Sequence, residues 1–162
     1  MIIRDARAAD LPVIVEIYNA AIPTRLSTAQ LEPVTIEERQ RWFDDHSPTH
    51  HPIWVAEAGR TIAGWLSFQS FIKRSAYAGT AEISIYVNES ARRRGVGHRL
   101  LAEAIRCSPS LTLTALIGCI FAHNTPSLEL FARAAFERWG LLPRVARLDG
   151  VERDLVIVGR HV

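Results

Sequence analysis

EISIYVNESARRRGVGH, residues 82–98, is the stretch that decides how the rest of the chain is interpreted. Its first six residues favour a strand, because β-branched and aromatic side chains suit a pleated sheet. Arg92 to Gly97 follows, and apolar residues at helical spacing come next. A helix N-terminus offers unpaired N–H groups and partial positive charge, and glycine lets an anion approach them closely. Strand, basic glycine loop and helix together predict a phosphate or pyrophosphate site.

Two better-known phosphate loops do not fit this stretch. A Walker loop would continue with Gly-Lys-Ser/Thr, and a dinucleotide fingerprint needs three spaced glycines near the first strand. Neither pattern occurs at residues 92–97. Taken alone, the loop could also be a basic, glycine-rich helix start that binds nothing.

Outward from this stretch, hydropathy predicts a mixed α/β domain in the order β-α-α-β-β-β-α-β-α-β-β. Helices are expected from Asp10, as N-cap, to Ala21, from Thr35 through Phe43, and over 95–107 and 125–135. Expected strands are 2–6, 53–57, 61–71, 80–88, 111–121, 136–147 and 151–158, and Asp149-Gly150 predicts a hairpin between the last two.

Length and composition limit the classes of protein. A chain of 162 residues favours one domain, 1–162, and its formal charge of +2 is too small to argue for nucleic acid. No apolar run approaches the roughly 20 residues of a membrane span, and Met1 to Asp5 does not resemble a signal peptide. We therefore expect a soluble cytoplasmic protein that binds neither nucleic acid nor a membrane.

Cysteine and histidine do not predict a metal site. Cys107 and Cys119 are too few for a disulfide framework or a zinc site, and their apolar neighbours predict buried, reduced, inert thiols. The histidine cluster His46, His50 and His51 has no obvious fourth ligand, so we expect these to be surface residues.

Residues 82–98 resemble the acetyl-CoA motif of the GNAT N-acetyltransferase superfamily, in which Arg/Gln-x-x-Gly-x-Gly/Ala holds the pyrophosphate. The segment from Asn124 to Phe131 resembles that family's Asn-x-x-Ser segment, although Asn124 would also serve as a plain N-cap. The resemblance implies the GNAT acyltransferase fold, with a splayed central strand pair that exposes backbone to the pantetheine arm. The acetyl-CoA contacts it implies are Ile85, Tyr86, Val87, Arg92, Arg93, Arg94, Gly95, Val96, Gly97, His98, Asn124 and Ser127.

The resemblance covers nearly the whole chain and is strongest to one branch of the family. Tyr18-Asn19, Trp42-Phe43, Gly64-Trp65, Tyr77 and the strand around Tyr86-Val87 look like the phosphinothricin and methionine sulfoximine N-acetyltransferases. That branch acetylates the α-amino group of small, glutamate-like amino acids and is usually homodimeric. The resemblance therefore implies a small-molecule amine acceptor and a homodimer.

Glu82 is the predicted general base. An amine attacks a thioester only as free base, so a carboxylate that takes its proton is the expected device. Glu82 stands in an apolar strand, where burial would raise its pKa towards a useful value, and it matches the family's base position. An exposed strand glutamate is the competing interpretation.

The acceptor's carboxylate needs a cation. Arg74, which can hold a carboxylate with two hydrogen bonds, and Lys73 lie in the loop before the Glu82 strand. We predict substrate contacts from Lys73, Arg74, Tyr77, Glu82 and Ser84, against the alternative of a solvated basic loop.

Phe131 is the clearest departure from the family. The position seven residues beyond the Asn usually holds Tyr or His, which can protonate the leaving thiolate, and phenylalanine cannot. A thiolate leaves readily with water or backbone help, so an enzyme is still expected. His123 could substitute, but a structural histidine is the simpler expectation. Other acceptors, such as a protein N-terminus, and a non-catalytic acetyl-CoA-binding module stay open.

Overall fold

The computed structural model describes residues 1–162 and confirms the predicted order of elements. The strands are β1 (Ile2–Asp5), β2 (Ile53–Ala58), β3 (Thr61–Ser70), β4 (Thr80–Val87), β5 (Ala115–Phe121), β6 (Glu137–Leu148) and β7 (Val151–His161). The helices are α1 (Leu11–Ala21), α2 (Ile36–Asp44), α3 (Val96–Cys107) and α4 (Thr125–Arg133).

The seven strands form one mixed sheet in the order β1-β2-β3-β4-β5-β7-β6. All neighbouring strands are antiparallel except β4 and β5, which run parallel because α3 connects them across one face. β4 and β5 therefore lie in the middle of the sheet, with the predicted phosphate loop between them in sequence.

The central parallel pair is splayed. β4 pairs with β5 only from Thr80 to Glu82, whereas it stays paired with β3 as far as Val87. Beyond Glu82 the side of β4 that faces β5 has no strand partner. Backbone groups there need other partners, which makes this edge suited to an extended ligand.

Side-chain alternation puts a separate core on each face of the sheet. Along β3, Trp65 packs with α1, whereas Leu66 and Phe68 pack in the larger core under α3. Successive side chains point to opposite faces, so an apolar run such as that of β3 must be covered on both. The sequence of the central strands thus requires helices above and below them.

Three predicted boundaries differ from the structure by two residues or more. The stretch 111–121 becomes a strand only at Ala115, because residues 108–111 form a short 3-10 turn and Thr112 has a left-handed φ of 59°. α4 ends at Arg133, two residues early, because Ala135 has a φ of 58°. β7 is longer than predicted and continues to His161.

Of the two predicted N-caps near the start of the chain, Thr35 is confirmed and Asp10 is wrong. Thr35 Oγ1 accepts the Glu38 N–H at 3.1 Å. A 3-10 turn runs directly into α1 and leaves Asp10 itself in helical conformation. The Asp10 carboxylate therefore points back, accepting the Arg7 N–H and pairing with Arg4, each at 2.7 Å.

The outer edge of the sheet is irregular. β6 carries two register shifts against β7, and Pro143 and the left-handed Arg144 (φ 52°) lie within the second. Its exposed side chains include Trp139, Leu141, Leu142 and Val145. None of the helices has both the length and the apolar character needed to cross a membrane.

Gly64 allows the close approach of β3 to β4. A Cβ at this position would lie 2.8 Å from the Tyr86 carbonyl oxygen and 3.1 Å from Val96 Cγ1. We expect Gly64→Ala to lower the free energy of unfolding by about 1–3 kcal/mol, the usual cost of overpacking, measured by denaturant titration. Gly140→Ala is the matched control, because its nearest neighbour would be 3.7 Å away. Equal stability of the two variants would contradict this account.

Candidate active site

Two cavities open where β4 separates from β5. The larger, of about 690 Å³, lies between β4, the loop before α3, and α4. The smaller, of about 370 Å³, lies between residues 82–86 of β4 and residues 119–121 of β5, beside Glu82. They meet at Tyr86, Asn124 and Phe131, which line both. The two cavities therefore adjoin at the splay.

The larger cavity gathers almost all of the predicted cofactor residues. Residues from all three motif segments line it: the end of β4, the loop before α3, and the start of α4. Arg94 is the exception, since it does not line this cavity. The lining residues among the predicted set are Ile85, Tyr86, Val87, Arg92, Arg93, Gly95, Val96, Gly97, His98, Asn124 and Ser127.

The loop before α3 presents a helix N-terminus to this cavity. Gly95 precedes the helix with a φ of 78°, a left-handed conformation that glycine adopts at no steric cost. The first N–H groups of α3 have no acceptor within the helix, and the exposed Arg92 and Arg93 add positive charge beside them. This end of the cavity is built to hold an anion.

Alternation along β4 divides its side chains between the two faces. Ile83, Ile85 and Val87 turn towards the core under α3. Glu82, Ser84 and Tyr86 turn to the opposite face and line the smaller cavity. The carboxylate and the acceptor-side hydroxyl groups thus come together because they are two residues apart on one strand.

Glu82 is half-buried, and the competing interpretation of an exposed strand glutamate does not describe it. Its Cα is paired with Gln69 on β3 and Ile117 on β5, at the last rung before the strands separate. Burial raises the pKa of the Glu82 carboxyl, and the nearby Cys119 and Gln69 side chains oppose that rise. A carboxyl with a raised pKa beside a cavity is a suitable proton acceptor.

Cys119 was expected to be buried and is exposed instead, lining the smaller cavity near Glu82. It is the one exposed position of β5, because the separation of β4 leaves its side chain uncovered. Although the residue as a whole is exposed, its thiol is partly desolvated beside Glu82, and this desolvation and the Glu82 charge raise the thiol pKa to about 11. Cys107, also expected to be buried, is half-buried beside Glu103.

Asn124 and His123 have structural partners. Asn124 Oδ1 accepts the Ser127 N–H at 3.2 Å, which confirms the predicted N-cap, and its Nδ2 donates to the Leu26 carbonyl at 3.0 Å. His123 Nε2 lies 2.8 Å from the Arg25 carbonyl. Since a carbonyl only accepts, His123 Nε2 carries the proton in this contact, and the imidazole is structural as expected.

Lys73, Arg74 and Tyr77 lie apart from both cavities. All three are exposed in the loop between β3 and β4, and none lines the smaller cavity. That loop leaves β3 next to the Ser70–Ala81 pair, at the same end of the strand as Glu82. In a single chain the structure therefore does not bring these residues together with Glu82 and Ser84.

Phe131 occupies the junction of the cavities as an apolar, buried ring. It is 4% exposed and packs edge-on against Phe136, with ring centroids 4.9 Å apart. A Cβ on Gly118 would lie 2.9 Å from its ring, so glycine at 118 makes room for it. The Phe131 ring therefore shapes the junction of the two cavities, but it has no proton to donate to a leaving thiolate.

Segment 26–29 is part of the site and carried no signal in the sequence. Leu26 and Ser27 line both cavities, and Thr28 and Ala29 line the smaller one. No periodicity or motif marks these residues; only their position between two helices could have drawn attention to them. Val145, Ala146 and Leu155, from the hairpin of β6 and β7, were missed for the same reason.

The histidine cluster is only partly at the surface. His46 and His51 are half-buried, which corrects the prediction for these two, and His50 is exposed. His46 Nδ1 lies 2.6 Å from the Trp42 carbonyl, and burial lowers the pKa of His46.

Comparison with known proteins identifies the family. Residues 14–136 match the model of the acetyltransferase (GNAT) family. The chain therefore belongs to the GNAT family of acetyltransferases. It is an acetyl-CoA-dependent N-acetyltransferase, of enzyme class EC 2.3.1.

Two curated relatives span nearly the whole chain. YwnH of Bacillus subtilis (strain 168), provisionally named a phosphinothricin acetyltransferase, is 46% identical over 163 residues, which cover 100% of this chain and 99% of that protein. The L-methionine sulfoximine/L-methionine sulfone acetyltransferase of Pseudomonas aeruginosa is 34% identical over 157 residues, or 96% of this chain and 91% of that protein. The predicted resemblance to the phosphinothricin and methionine sulfoximine acetyltransferases is thus supported over nearly the whole chain.

Solved structures share the fold. The ribosomal-protein-alanine N-acetyltransferase from Brucella melitensis has a TM-score of 0.95 at 31% identity, with 100% of both chains covered. The phosphinothricin acetyltransferase from Sinorhizobium meliloti, solved in complex with acetyl-CoA, has a TM-score of 0.93 at 29% identity, covering 99% of this chain and 88% of that one.

The raised pKa of Glu82 predicts a pH-dependent cost in stability. The folded protein holds the Glu82 proton more tightly than the unfolded chain, so stability falls as pH rises through the window from about 4 up to the raised value. Glu82→Gln removes this loss, and we expect its Tm at neutral pH to exceed that of the wild type. The measurement is thermal unfolding from pH 4 to 8.

Glu16→Gln is the control for that measurement, because Glu16 is exposed on α1. Its Tm should follow the wild-type curve. If the wild-type Tm instead rose relative to that of Glu82→Gln as pH increased, the pKa of Glu82 would be lowered by folding. That outcome would contradict a carboxylate that is destabilised by burial.

Proposed function

We propose that the protein acetylates the α-amino group of a small amino-acid-like substrate of the phosphinothricin or methionine sulfoximine/sulfone type, with Glu82 as general base. One observation carries the proposal: the cavity with the anion-binding helix end meets the cavity with Glu82 at the splay of β4 and β5. The smaller cavity, about 370 Å³, is within the usual range for small-molecule sites, and the relatives' names give small acceptors of this type.

The residues fit acetyl-CoA along the larger cavity. Its pyrophosphate would be held by the N–H groups at the start of α3 together with Arg92 and Arg93, and its pantetheine arm by the free edge of β4 at Ile85 to Val87. Bound there, acetyl-CoA supplies the thioester carbonyl that an amine can attack. Arg94 adds positive charge to the same loop although it does not line the cavity, and His98 lines the cavity in the first turn of α3.

Glu82 removes the proton that makes the acceptor amine unreactive. Its raised pKa keeps proton affinity high enough to take a proton from an ammonium group directly or through one water. Ser84, on the same face of β4, orients the amine by hydrogen bonding. The proposed transfer is direct, from acetyl-CoA to the amine without an acyl-cysteine, and the raised pKa of the Cys119 thiol, about 11, disfavours a reactive thiolate there.

Glu82→Gln should lower kcat by about 10²–10⁴-fold, the usual contribution of a positioned base. Its Kd for CoA, measured by calorimetry, should match the wild type, because Glu82 does not line the larger cavity. Activity should recover in part at high pH, where more of the amine is already deprotonated. Unchanged turnover with intact CoA binding would exclude Glu82 as the base.

Arg74, with Lys73 and Tyr77, is proposed to bind the acceptor's carboxylate. The loop is exposed, so it must close over the smaller cavity or meet it across a subunit boundary in the proposed homodimer. Arg74→Gln should raise the acceptor KM by about tenfold, the loss of one charged hydrogen-bonded pair, and leave the acetyl-CoA KM unchanged. Arg60→Gln, at the exposed turn between β2 and β3, is the matched control. Light scattering tests the homodimer.

A second candidate acceptor is the N-terminus of a protein. The observation in its favour is the likeness to the ribosomal-protein-alanine N-acetyltransferase over the whole chain. Against it, the smaller cavity is bounded by segment 26–29 and the β6–β7 hairpin, which leaves room for a small molecule.

One screen decides between the two acceptors. Purified protein with acetyl-CoA is offered free amino acids, their sulfone, sulfoximine and phosphinic analogues, and alanine-initiated peptides, and thiol release is followed. The proposal expects turnover with the free amino-acid analogues. Turnover with peptides alone would establish the second candidate.

For either acceptor, we propose that residues 1–162 form a single catalytic domain and that the protein acts in the cytoplasm.

A further inference from the structure

Residues 25–29, here named the strap, cross the cleft where the two cavities meet. The strap belongs to no helix or strand. Leu26 and Ser27 line both cavities, so its position fixes the boundary between them. A segment without regular structure holds its place only if its own polar groups find partners.

Three consecutive carbonyls of the strap are bound by side chains from the centre of the site. His123 Nε2 lies 2.8 Å from the Arg25 carbonyl, Asn124 Nδ2 donates to the Leu26 carbonyl at 3.0 Å, and Tyr86 Oη donates to the Ser27 carbonyl at 3.0 Å. The donors come from β4 and from the turn that follows β5, so they lie on the two strands, β4 and β5, that separate at the splay or directly after them.

Both ends of the strap are fixed as well. The Arg25 guanidinium forms two hydrogen bonds with the Asp149 carboxylate, at 2.8 and 3.2 Å, which tie the strap to the β6–β7 hairpin. Thr28 Oγ1 lies 2.7 Å from Tyr18 Oη in a buried contact with α1. The strap is thus attached to β4, to the turn before α4, to the β6–β7 hairpin and to α1.

We propose that Tyr86, His123 and Asn124 are positioning residues that hold the strap closed as the wall of the acceptor cavity. The inference rests on the proposed function, since it assigns the smaller cavity to the acceptor. In this proposal, Asn124 and Tyr86 line the cofactor cavity and also shape the acceptor cavity, because they hold the strap in place. Asn124 is 5% exposed and both of its polar atoms are engaged within the chain.

Asn124→Asp separates the two functions of this side chain. Aspartate keeps the oxygen that caps α4 at the Ser127 N–H, but it has no N–H to donate to the Leu26 carbonyl. Tyr86→Phe is the second variant, because it removes the donor to Ser27 and keeps the ring that stacks on Trp65 at 4.6 Å. Asn88→Asp is the matched control: Asn88 caps its turn through Oδ1 and has no part in the strap.

Two measurements test the proposal. Hydrogen exchange of the peptide containing residues 25–29 should be faster in Asn124→Asp and Tyr86→Phe than in the wild type and Asn88→Asp. The acceptor KM should rise about 5- to 20-fold in both variants, the loss of one buried hydrogen bond. The Kd for CoA should change by a smaller factor than the acceptor KM, although both residues also line the cofactor cavity. Unchanged exchange in both variants would overturn the proposal.

Weaker CoA binding with an unchanged acceptor KM would also overturn it, because Asn124 would then serve the cofactor directly. A wild-type protein that acetylates no amine would refute the proposed function instead. The exchange measurement needs no acceptor, so it still decides in that case whether these side chains hold the strap.

Discussion

The separation of two parallel strands organises this molecule. β4 and β5 pair for three residues, and from Ile83 onward β4 keeps only its partner on the other side. A buried edge without hydrogen-bond partners is costly in a finished fold, so its persistence makes sense where a ligand completes it. The helix that begins beyond β4 and the helix that begins beyond β5 then deliver their N-termini to the same opening.

The local environment of a residue could be predicted from the sequence where its type is common in only a few structural settings. The glutamate in an apolar strand predicted burial of its carboxylate, and Glu82 is half-buried. The glycine before a helical pattern and the Asn-x-x-Ser segment predicted two helix starts, and Gly95 and Asn124 stand directly before α3 and α4. The order of elements followed from periodicity alone. The family resemblance added what periodicity cannot, namely that the central pair would splay.

The errors come from interactions that pattern does not encode. Aspartate is a common N-cap residue, but the Asp10 carboxylate forms an ion pair with Arg4 of β1 and does not cap the helix. Cys119 has apolar neighbours in sequence and is nonetheless exposed, because exposure there depends on the departure of β4. Segment 26–29 bears ordinary residues, and its place in the site results from contacts with residues about 60 to 100 positions away.

The irregular outer strand β6 is a poor template for pairing with a strand of another chain. An edge strand with free N–H and C=O groups is a template for sheet extension between molecules. In β6 the two register shifts, Pro143 and the left-handed Arg144 interrupt that row of groups, so a second chain finds no continuous ladder to add to. The apolar side chains of β6 stay available on its faces, and self-association at this end of the sheet is restricted to side-chain packing.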